Sequence, residues 1–270
     1  MRQACAHTMS RLVVTDVSHA FGGLRAVQNF NLVMGETDLV GLIGPNGAGK
    51  TTVFNLLTGV YRPQRGSILL DGRELVGLAQ HRIVGLGLAR TFQNIRLFGR
   101  LSVLDNVRTA FYARGESSPL AALLRLPSSR AEEKRILCES RELLEAFGLS
   151  PHAGAAAGDL PYGLQRRLEI ARALATGPRL LALDEPAAGM NPAEIGRMME
   201  FILWVRERFA IPILLIEHQM ALVMGICERI VVLDAGRTIA TGTPAAVCRD
   251  AAVLAAYLGT ESTYGATAAG

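Results

Sequence analysis

The sequence predicts an α/β protein in which a helical insertion interrupts a largely parallel sheet. An apolar strand at 39–43 leads through a glycine-rich loop into a helical pattern at 50–57, as at the start of a βαβ unit. Three later stretches are fully apolar, as buried parallel strands are: 180–183, 213–216 and 230–233. The region from about 102 to 158 has helical periodicity instead, which indicates a separate helical part.

The beginning of the chain favours an antiparallel arrangement. Residues 12–17 and 30–33 have strand-like composition, and 67–70 runs into the pair Asp71-Gly72. An Asp-Gly pair after an apolar run is typical of a β-hairpin. We therefore expect an N-terminal antiparallel subdomain beside the parallel sheet.

The insertion contains one clear amphipathic helix. Residues 132–147 place five apolar side chains on one face amid charges: Ile136, Leu137, Leu143, Leu144 and Phe147. Residues 113–129 are loop-like or insertion-like in composition. The middle of the chain should therefore be helical, with an irregular stretch before this helix.

Length and composition indicate one large domain. The 270 residues are 50% hydrophobic, enough to bury a sizeable core. We expect a domain at 11–258, a helical subdomain inserted at about 95–175, and flexible ends at 1–10 and 259–270. No uninterrupted apolar run reaches the roughly 18 to 20 residues that span a bilayer, and the first ten residues lack the apolar core of a signal peptide. We expect the chain in the cytoplasm.

Charge and cysteine content add little to the functional prediction. The net charge of +4 comes from basic residues that are dispersed along the chain, so it does not by itself indicate nucleic-acid binding. The cysteines form no CxxC pair and have no histidine at ligand spacing, which favours free thiols over disulfides or a zinc site: Cys5, Cys138, Cys227 and Cys248.

The glycine-rich loop is the strongest chemical motif. Its sequence, GPNGAGKT, lies between a predicted strand and a predicted helix, as a phosphate-binding loop requires. Backbone N–H groups and the helix N-terminus would bind phosphate oxygens, Lys50 would reach the β and γ phosphates, and Thr51 would ligate Mg²⁺. The predicted ATP-binding residues here are Gly44, Pro45, Asn46, Gly47, Ala48, Gly49, Lys50, Thr51 and Thr52.

Two carboxylates end the apolar strand at 180–183. Asp184 and Glu185 follow it directly, at the edge of an α/β sheet where a second magnesium-coordinating acid would lie beside the phosphate loop. Asp184 would hold the metal and its water shell. Glu185 would polarise the attacking water as a general base.

Residues 160–167, LPYGLQRR, resemble the signature sequence of ABC ATPases, and RRLEIARAL at 166–174 continues as the helix of that motif does. The resemblance implies a P-loop ABC ATPase core with an inserted helical subdomain, an ATP-hydrolysing activity and a head-to-tail dimer. Each signature segment would face the ATP of the other subunit. Tyr162 and Gly163 would therefore contact a partner's nucleotide.

Further positions match the pattern of this family. Gln93 looks like the glutamine that links the metal to the helical subdomain, residues 188–192 look like the dimer-contact loop, and His218 looks like the histidine that senses the γ-phosphate. Phe21 stands where the family places an aromatic ring that stacks on adenine. The resemblance thus implies catalytic roles for Gln93 and His218 beside Glu185, and Gln93 joins Thr51 and Asp184 as a magnesium ligand.

Four longer stretches narrow the resemblance from ABC ATPases in general to one subgroup of them. These look like the longer ATPase subunit of high-affinity branched-chain amino-acid importers: 90–107, 184–192, 217–229 and 256–259. That subgroup implies three kinds of partner: two membrane permeases, a second, shorter paralogous ATPase, and an extracytoplasmic binding protein. In isolation the chain would form a homodimer instead. The resemblance also implies a peripheral position on the cytoplasmic face of the membrane and no nucleic-acid partner. Alternatives are a urea, amide or aromatic-acid importer, a lipopolysaccharide exporter, and a soluble ABC ATPase.

The sequence also departs from the family pattern. Pro161 replaces a serine of the signature, Leu164 replaces a polar residue, and 37–38 replaces the usual Gly-Glu turn. Proline has neither a hydroxyl nor a backbone donor. These departures bear on the hydrolysis rate and on dimer affinity.

Overall fold

The structure is a computed structural model that describes residues 11–112 and 127–257. It divides into two compact units, which we call the core unit (Met1–Ile83 with Arg179–Gly270) and the helical unit (Val84–Pro178). The predicted flexible ends, and residues 113–126 of the predicted irregular stretch, lie outside the described residues.

The elements follow one another along the chain in a regular α/β order. They are β1 (Leu12–Phe21), β2 (Leu24–Met34), β3 (Leu39–Ile43), α1 (Lys50–Leu57), β4 (Arg65–Leu70), β5 (Arg73–Glu74), α2 (Gln80–Leu86), β6 (Leu88–Arg90), α3 (Val103–Tyr112), α4 (Pro127–Ala146), α5 (Tyr162–Ala175), β7 (Leu180–Asp184), α6 (Pro192–Phe209), β8 (Ile213–Ile216), α7 (Met220–Ile226), β9 (Arg229–Asp234), β10 (Arg237–Gly242) and α8 (Pro244–Val247). Short 3₁₀ turns occur at Ser150–His152 and Ala157–Asp159.

The sheet that carries the phosphate loop is largely parallel. Within the core unit its strands lie in the order β10, β9, β3, β8, β7, and β3 pairs in parallel with both β8 and β9. Every residue of β3, β7 and β8 is buried, as expected for strands covered on both faces. The predicted parallel strands are confirmed, and β10 adds an antiparallel edge strand that we did not predict.

The second sheet of the core unit is antiparallel, in the order β2, β1, β4, β5. Its hairpin between β4 and β5 turns at Asp71 and Gly72, which both have positive φ values of 47° and 74°. Such values fit the two central residues of a tight hairpin turn. The predicted antiparallel N-terminal region is confirmed.

The helical unit contains the predicted amphipathic helix, α4, and two others, α3 and α5. Ile136, Leu143, Leu144 and Phe147 are buried and Leu137 is half-buried, so the predicted apolar face is confirmed. The helix begins at Pro127; the prediction of a loop through residue 129 was therefore wrong at its end, because proline is well suited to the first turn of a helix.

Nothing in the described part of the chain qualifies as a membrane-spanning helix by length and hydrophobicity. Cys138, Cys227 and Cys248 are free thiols, as predicted, and Cys5 lies outside the described residues. Burial raises the pKa of the Cys227 thiol to about 12, which makes it a poor nucleophile near neutral pH.

Candidate functional site

The glycine-rich loop between β3 and α1 has a backbone that only glycine can supply at two positions. Gly44 has φ 151° and Gly49 has φ 101°. A Cβ on Gly44 would lie 2.1 Å from the carbonyl oxygen of Leu233, and a Cβ on Gly49 would lie 2.4 Å from that of Ala26. Both distances are far below van der Waals contact, so the loop is held tightly against its neighbours.

The middle of the loop is open where a ligand would approach. Gly47 has φ 80° and nothing lies within 4 Å of the position of a Cβ. Asn46 and Gly47 are exposed, whereas Ala48 is buried and donates its N–H to Pro45 at 3.1 Å. The loop therefore presents its outer backbone to solvent and anchors its base, as phosphate binding by N–H groups requires.

Lys50, the first residue of α1, is 7% exposed. Its Nζ donates to the carbonyl oxygens of Gly44 at 2.7 Å and Pro45 at 3.0 Å. Burial lowers the pKa of Lys50, and the negative charge of Glu185 opposes that shift. Thr51 is exposed and Thr52 half-buried in the first helical turn, where N–H groups have no intrahelical acceptor. A cation and free helix donors thus lie together at the loop.

The two predicted carboxylates follow β7 as expected. Asp184 is the last residue of the strand and is 4% exposed. Glu185 has φ 45°, and its N–H donates to Ile216 at 2.9 Å. A left-handed conformation in a non-glycine residue costs roughly 1 to 3 kcal/mol and is concentrated at functional sites. It turns the chain away from the sheet immediately after Asp184.

The structure brings His218 to Glu185. Its Nδ1 lies 3.4 Å from Oε2 of Glu185. The contact arises because β7 and β8 are adjacent parallel strands, with Asp184 paired to Ile216, so residues just beyond both strands meet at one edge of the sheet. The His218 side chain is half exposed and that of Glu185 is 17% exposed. A ligand can therefore reach this pair from solvent.

Glu217 was not among the predicted site residues. It is 0% exposed and its carboxylate accepts three backbone N–H groups, from Ala187 at 2.8 Å, His218 at 3.1 Å and Gln219 at 3.2 Å. Burial raises the pKa of Glu217, and these hydrogen bonds partly oppose the shift. In the sequence Glu217 is a single acidic residue that follows the apolar run 213–216. Its hydrogen-bond partner Ala187 lies 30 residues away, so no local sequence pattern could identify Glu217 as part of the site.

The dimer-contact loop of the resemblance begins beside this carboxylate. Ala188 donates its N–H to Glu185 at 3.1 Å, and Met190 donates to Ala187 at 3.1 Å. Asn191 then starts α6 with a capping box, in which Asn191 and Glu194 each accept the other's backbone N–H. Gly189 and Asn191 are exposed. The loop is internally ordered and faces solvent.

Gln93 lies in the helical unit, with its residue exposed to solvent. The guanidinium of Arg166 donates to the carbonyl oxygens of Phe92 and Gln93. Glu169 accepts the N–H groups of Phe92 at 3.3 Å and Arg96 at 3.4 Å. Both side chains come from α5 and are at most 2% exposed. A buried ion pair therefore fixes the backbone around Gln93.

The signature residues Tyr162 and Gly163 form the first turn of α5 and are exposed, Tyr162 at 46%. Pro161 is the N-cap and makes no side-chain capping bond. Its carbonyl oxygen accepts the N–H groups of Leu164 at 2.9 Å and Gln165 at 3.0 Å. The replacement of serine by proline is thus compatible with a regular helix start.

Phe21, at the end of β1, is 43% exposed. Its ring centroid lies 4.7 Å from that of His19 and 5.1 Å from that of Tyr61, both edge to face, and His19 stacks on Tyr61 at 5.6 Å. Such aromatic contacts stabilise one ring orientation. Two neighbouring rings therefore hold the Phe21 ring, and part of its surface stays open to solvent.

The residues expected to hold Mg²⁺ supply suitable donors within the core unit. Thr51 provides a hydroxyl oxygen and the buried Asp184 a carboxylate oxygen, and hard oxygen ligands are those that Mg²⁺ prefers, usually few in number with waters and phosphates. Tyr257 was predicted only as part of a longer match. Burial raises its pKa, and a hydrogen bond with the Gly44 backbone partly opposes this.

Comparisons with known proteins identify the family of the chain. A family model described as "ABC transporter" matches residues 27–188, and one described as "Branched-chain amino acid ATP-binding cassette transporter" matches 237–263. The chain is 46% identical over 248 residues to LivG of Escherichia coli (strain K12), a high-affinity branched-chain amino acid transport ATP-binding protein, covering 92% of this chain and 97% of LivG.

Two more distant proteins share the architecture. LptB of Haemophilus influenzae, a lipopolysaccharide export system ATP-binding protein, is 33% identical over 251 residues, covering 93% of this chain and 98% of LptB. The crystal structure of the ADP conformation of MJ1267, an ATP-binding cassette of an ABC transporter, superposes with TM-score 0.81 at 28% identity, covering 93% of this chain and 100% of that one. The chain therefore belongs to the ABC transporter family, as an ATP-binding, ATP-hydrolysing subunit.

Proposed function

We propose that this chain powers the import of branched-chain amino acids or related small amides through partner permeases. The observation that supports it most directly is the edge of the parallel sheet, where the buried Lys50, Asp184 and the Glu185–His218 contact follow neighbouring strands. This is the machinery for ATP hydrolysis. The similarity to LivG over nearly the whole chain supports the choice of cargo.

The site residues have the following roles in this proposal. The loop N–H groups and Lys50 bind the β and γ phosphates. Thr51 and Asp184 of the core unit would hold Mg²⁺, with Gln93 as the further ligand that the family resemblance implies, and the ion would neutralise charge on the phosphates. Phe21 stacks on adenine through the part of its ring that is exposed to solvent.

Glu185 polarises the attacking water. Its carboxylate is mostly buried yet reachable from solvent, as suits a general base. His218, 3.4 Å away, orients that carboxylate and contacts the γ-phosphate. Both residues would therefore act on the attacking side of the γ-phosphate, opposite the leaving ADP.

ATP binding closes two subunits, and hydrolysis reopens them. Tyr162 and Gly163 are exposed at the start of α5, where they can contact the nucleotide of a second ATPase. That second ATPase is a shorter paralogue in the complete transporter, or another copy of this chain in isolation. The dimer stands on the cytoplasmic face of the membrane beneath two permeases, and an extracytoplasmic binding protein delivers cargo.

A groove on the helical unit offers a surface for a permease. It encloses about 340 Å³, and its lining includes Val84, Ala89, Arg90, Phe98, Ala110 and Arg172. Phe98 is 54% exposed and Arg172 lies over its ring at 5.5 Å. The lining also includes Glu169, whose charge acts on Arg172, and a mainly apolar groove of this kind suits the apolar face of a short amphipathic segment.

The proposal is tested by co-purification. We expect tagged chain, solubilised with membranes from its own host, to retain two multi-spanning permeases and a shorter ATPase, and Phe98→Ala to retain less of the permeases. Recovery with a lipopolysaccharide assembly, with ribosomes or nucleic acid, or with no membrane protein would contradict the transport proposal.

The hydrolytic roles are tested separately. Glu185→Gln is expected to bind ATP and accumulate an ATP-bound dimer, measured by size-exclusion chromatography with Mg-ATP, because the base is lost while the phosphate contacts remain. Lys50→Ala, the matched control, is expected to lose ATP affinity and to stay monomeric. A normal rate of ATP hydrolysis by Glu185→Gln would exclude Glu185 as the general base.

A further inference from the structure

Glu217 occupies an unusual position for a charged side chain. It follows the fully buried strand β8 and is itself 0% exposed. A carboxylate without compensating hydrogen bonds is costly to bury at such a place. Glu217 is compensated by backbone N–H groups, and these donors come from two different segments.

The two segments are those that carry the catalytic pair. Oε1 of Glu217 accepts the N–H of Ala187, two residues after Glu185. Oε2 accepts the N–H of His218 and that of Gln219. One carboxylate therefore fixes the backbone on both sides of the 3.4 Å contact between Glu185 and His218.

We propose that Glu217 is a positioning residue for ATP hydrolysis, which sets the spacing between Glu185 and His218 by holding both of their segments. The proposal rests on the roles given above to these two residues. Glu217 touches neither nucleotide nor water in this scheme. It acts through the backbone of Ala187 and His218.

A purely local role would require less than the structure shows. Capping the short helix α7 would use only the bonds from His218 and Gln219, because Gln219 is its N-cap. The bond from Ala187, at 2.8 Å, is the shortest of the three and joins a different loop. It has no function in capping, whereas it ties the loop after Glu185 directly to the segment of His218.

The test replaces one carboxylate oxygen of Glu217 by an NH₂ group. Glu217→Gln keeps the volume, but its NH₂ faces a backbone N–H donor, so one segment is released. Glu74→Gln is a matched control, because Glu74 also accepts backbone N–H groups, those of Ile68 and Val76, both at 3.0 Å, in the same unit. Mg-ATP hydrolysis and the binding of a fluorescent ATP analogue are measured for each purified full-length variant.

We expect Glu217→Gln to lower kcat at least about tenfold, equivalent to about 1.4 kcal/mol of transition-state stabilisation, with KM and nucleotide affinity changed less than about twofold. Glu74→Gln should leave kcat within about twofold of the unsubstituted chain. If Glu217 acts through His218, the loss should largely disappear in a His218→Ala background, as coupled residues are not additive.

An unchanged kcat in Glu217→Gln, or a full additional loss in the His218→Ala background, would overturn the positioning role. If Glu217→Gln does not fold, Glu217→Asp is the second variant, because it keeps the charge but shortens the reach to Ala187. It should show a lower kcat at unchanged KM. A normal kcat in Glu217→Asp would also overturn the positioning role. Failure of the unsubstituted chain to hydrolyse ATP would instead contradict the proposed function itself.

Discussion

The buried pair between Arg166 and Glu169 allows a stability prediction with a defined magnitude. The two side chains are 1% and 2% exposed and their atoms Nη1 and Oε2 are 2.8 Å apart. Arg166→Met leaves Glu169 charged without its cation and deprives two carbonyl oxygens, those of Phe92 and Gln93, of a donor. Breaking a buried pair in this way costs about 3 to 5 kcal/mol.

The cost is measured as the free energy of unfolding in urea, followed by circular dichroism at 222 nm. Arg135→Met is the matched control, because Arg135 pairs with Glu139 on a helix of the same unit but is 54% exposed. An exposed pair of this kind contributes about 0.3 to 0.5 kcal/mol. We therefore expect a difference of about 2.5 kcal/mol or more between the two variants.

A double variant separates the ion pair from the packing around it. Arg166→Met with Glu169→Leu removes the unpaired buried charge, so it should recover part of the lost stability. The recovery should be incomplete, because Glu169→Leu also removes the acceptor for the N–H groups of Phe92 and Arg96. A loss below about 1 kcal/mol in Arg166→Met, or a double variant no more stable than the single one, would refute this reasoning.

Two further predictions concern the core unit. Gly49→Ala should lower the affinity for a fluorescent ATP analogue at least about tenfold, about 1.4 kcal/mol, because its Cβ would lie 2.4 Å from a carbonyl oxygen. Gly72→Ala is the control: Gly72 also has a positive φ but lies in open space. This control should leave the affinity for the analogue unchanged. Burial raises the pKa of Asp71, but hydrogen bonds and charges from Arg179 and Arg11 outweigh it and lower that pKa below 3.8. Asp71→Asn should therefore lower the free energy of unfolding by about 1 kcal/mol at pH 7. The loss should shrink below about pH 4 and vanish once the pH is under the pKa of Asp71 in the folded protein. An equal loss at pH 7 and below pH 4, measured by unfolding in urea, would contradict this prediction.

The sequence predicted those parts of the fold that have a strong local pattern. The buried strands and the helix after the phosphate loop were found because their residues are uniformly apolar or periodic. The strand β10 was missed, since Arg237–Gly242 is half-exposed and shows no regular alternation. Short elements such as Leu88–Arg90 carry too few residues for any period to be recognised.

The candidate site was predicted residue by residue, but not the contacts that support it. Arg166 and Glu169 are three positions apart on a helix, which is typical of an exposed ion pair; their burial depends on a loop more than 70 residues away. The bond between Glu217 and Ala187 spans 30 residues. Contacts of this kind depend on tertiary packing, which a single sequence does not display.

Each unit uses one buried glutamate for the same physical task. Glu169 accepts N–H groups on both sides of Gln93, and Glu217 accepts N–H groups from the segments of Glu185 and His218. Backbone donors in loops have no partner in a helix or sheet, so an unsatisfied loop would be costly to bury and free to move. A buried carboxylate satisfies several of them at once and fixes the loop. The loops that carry Gln93, Glu185 and His218, the residues proposed to act in hydrolysis, are therefore held by buried charges.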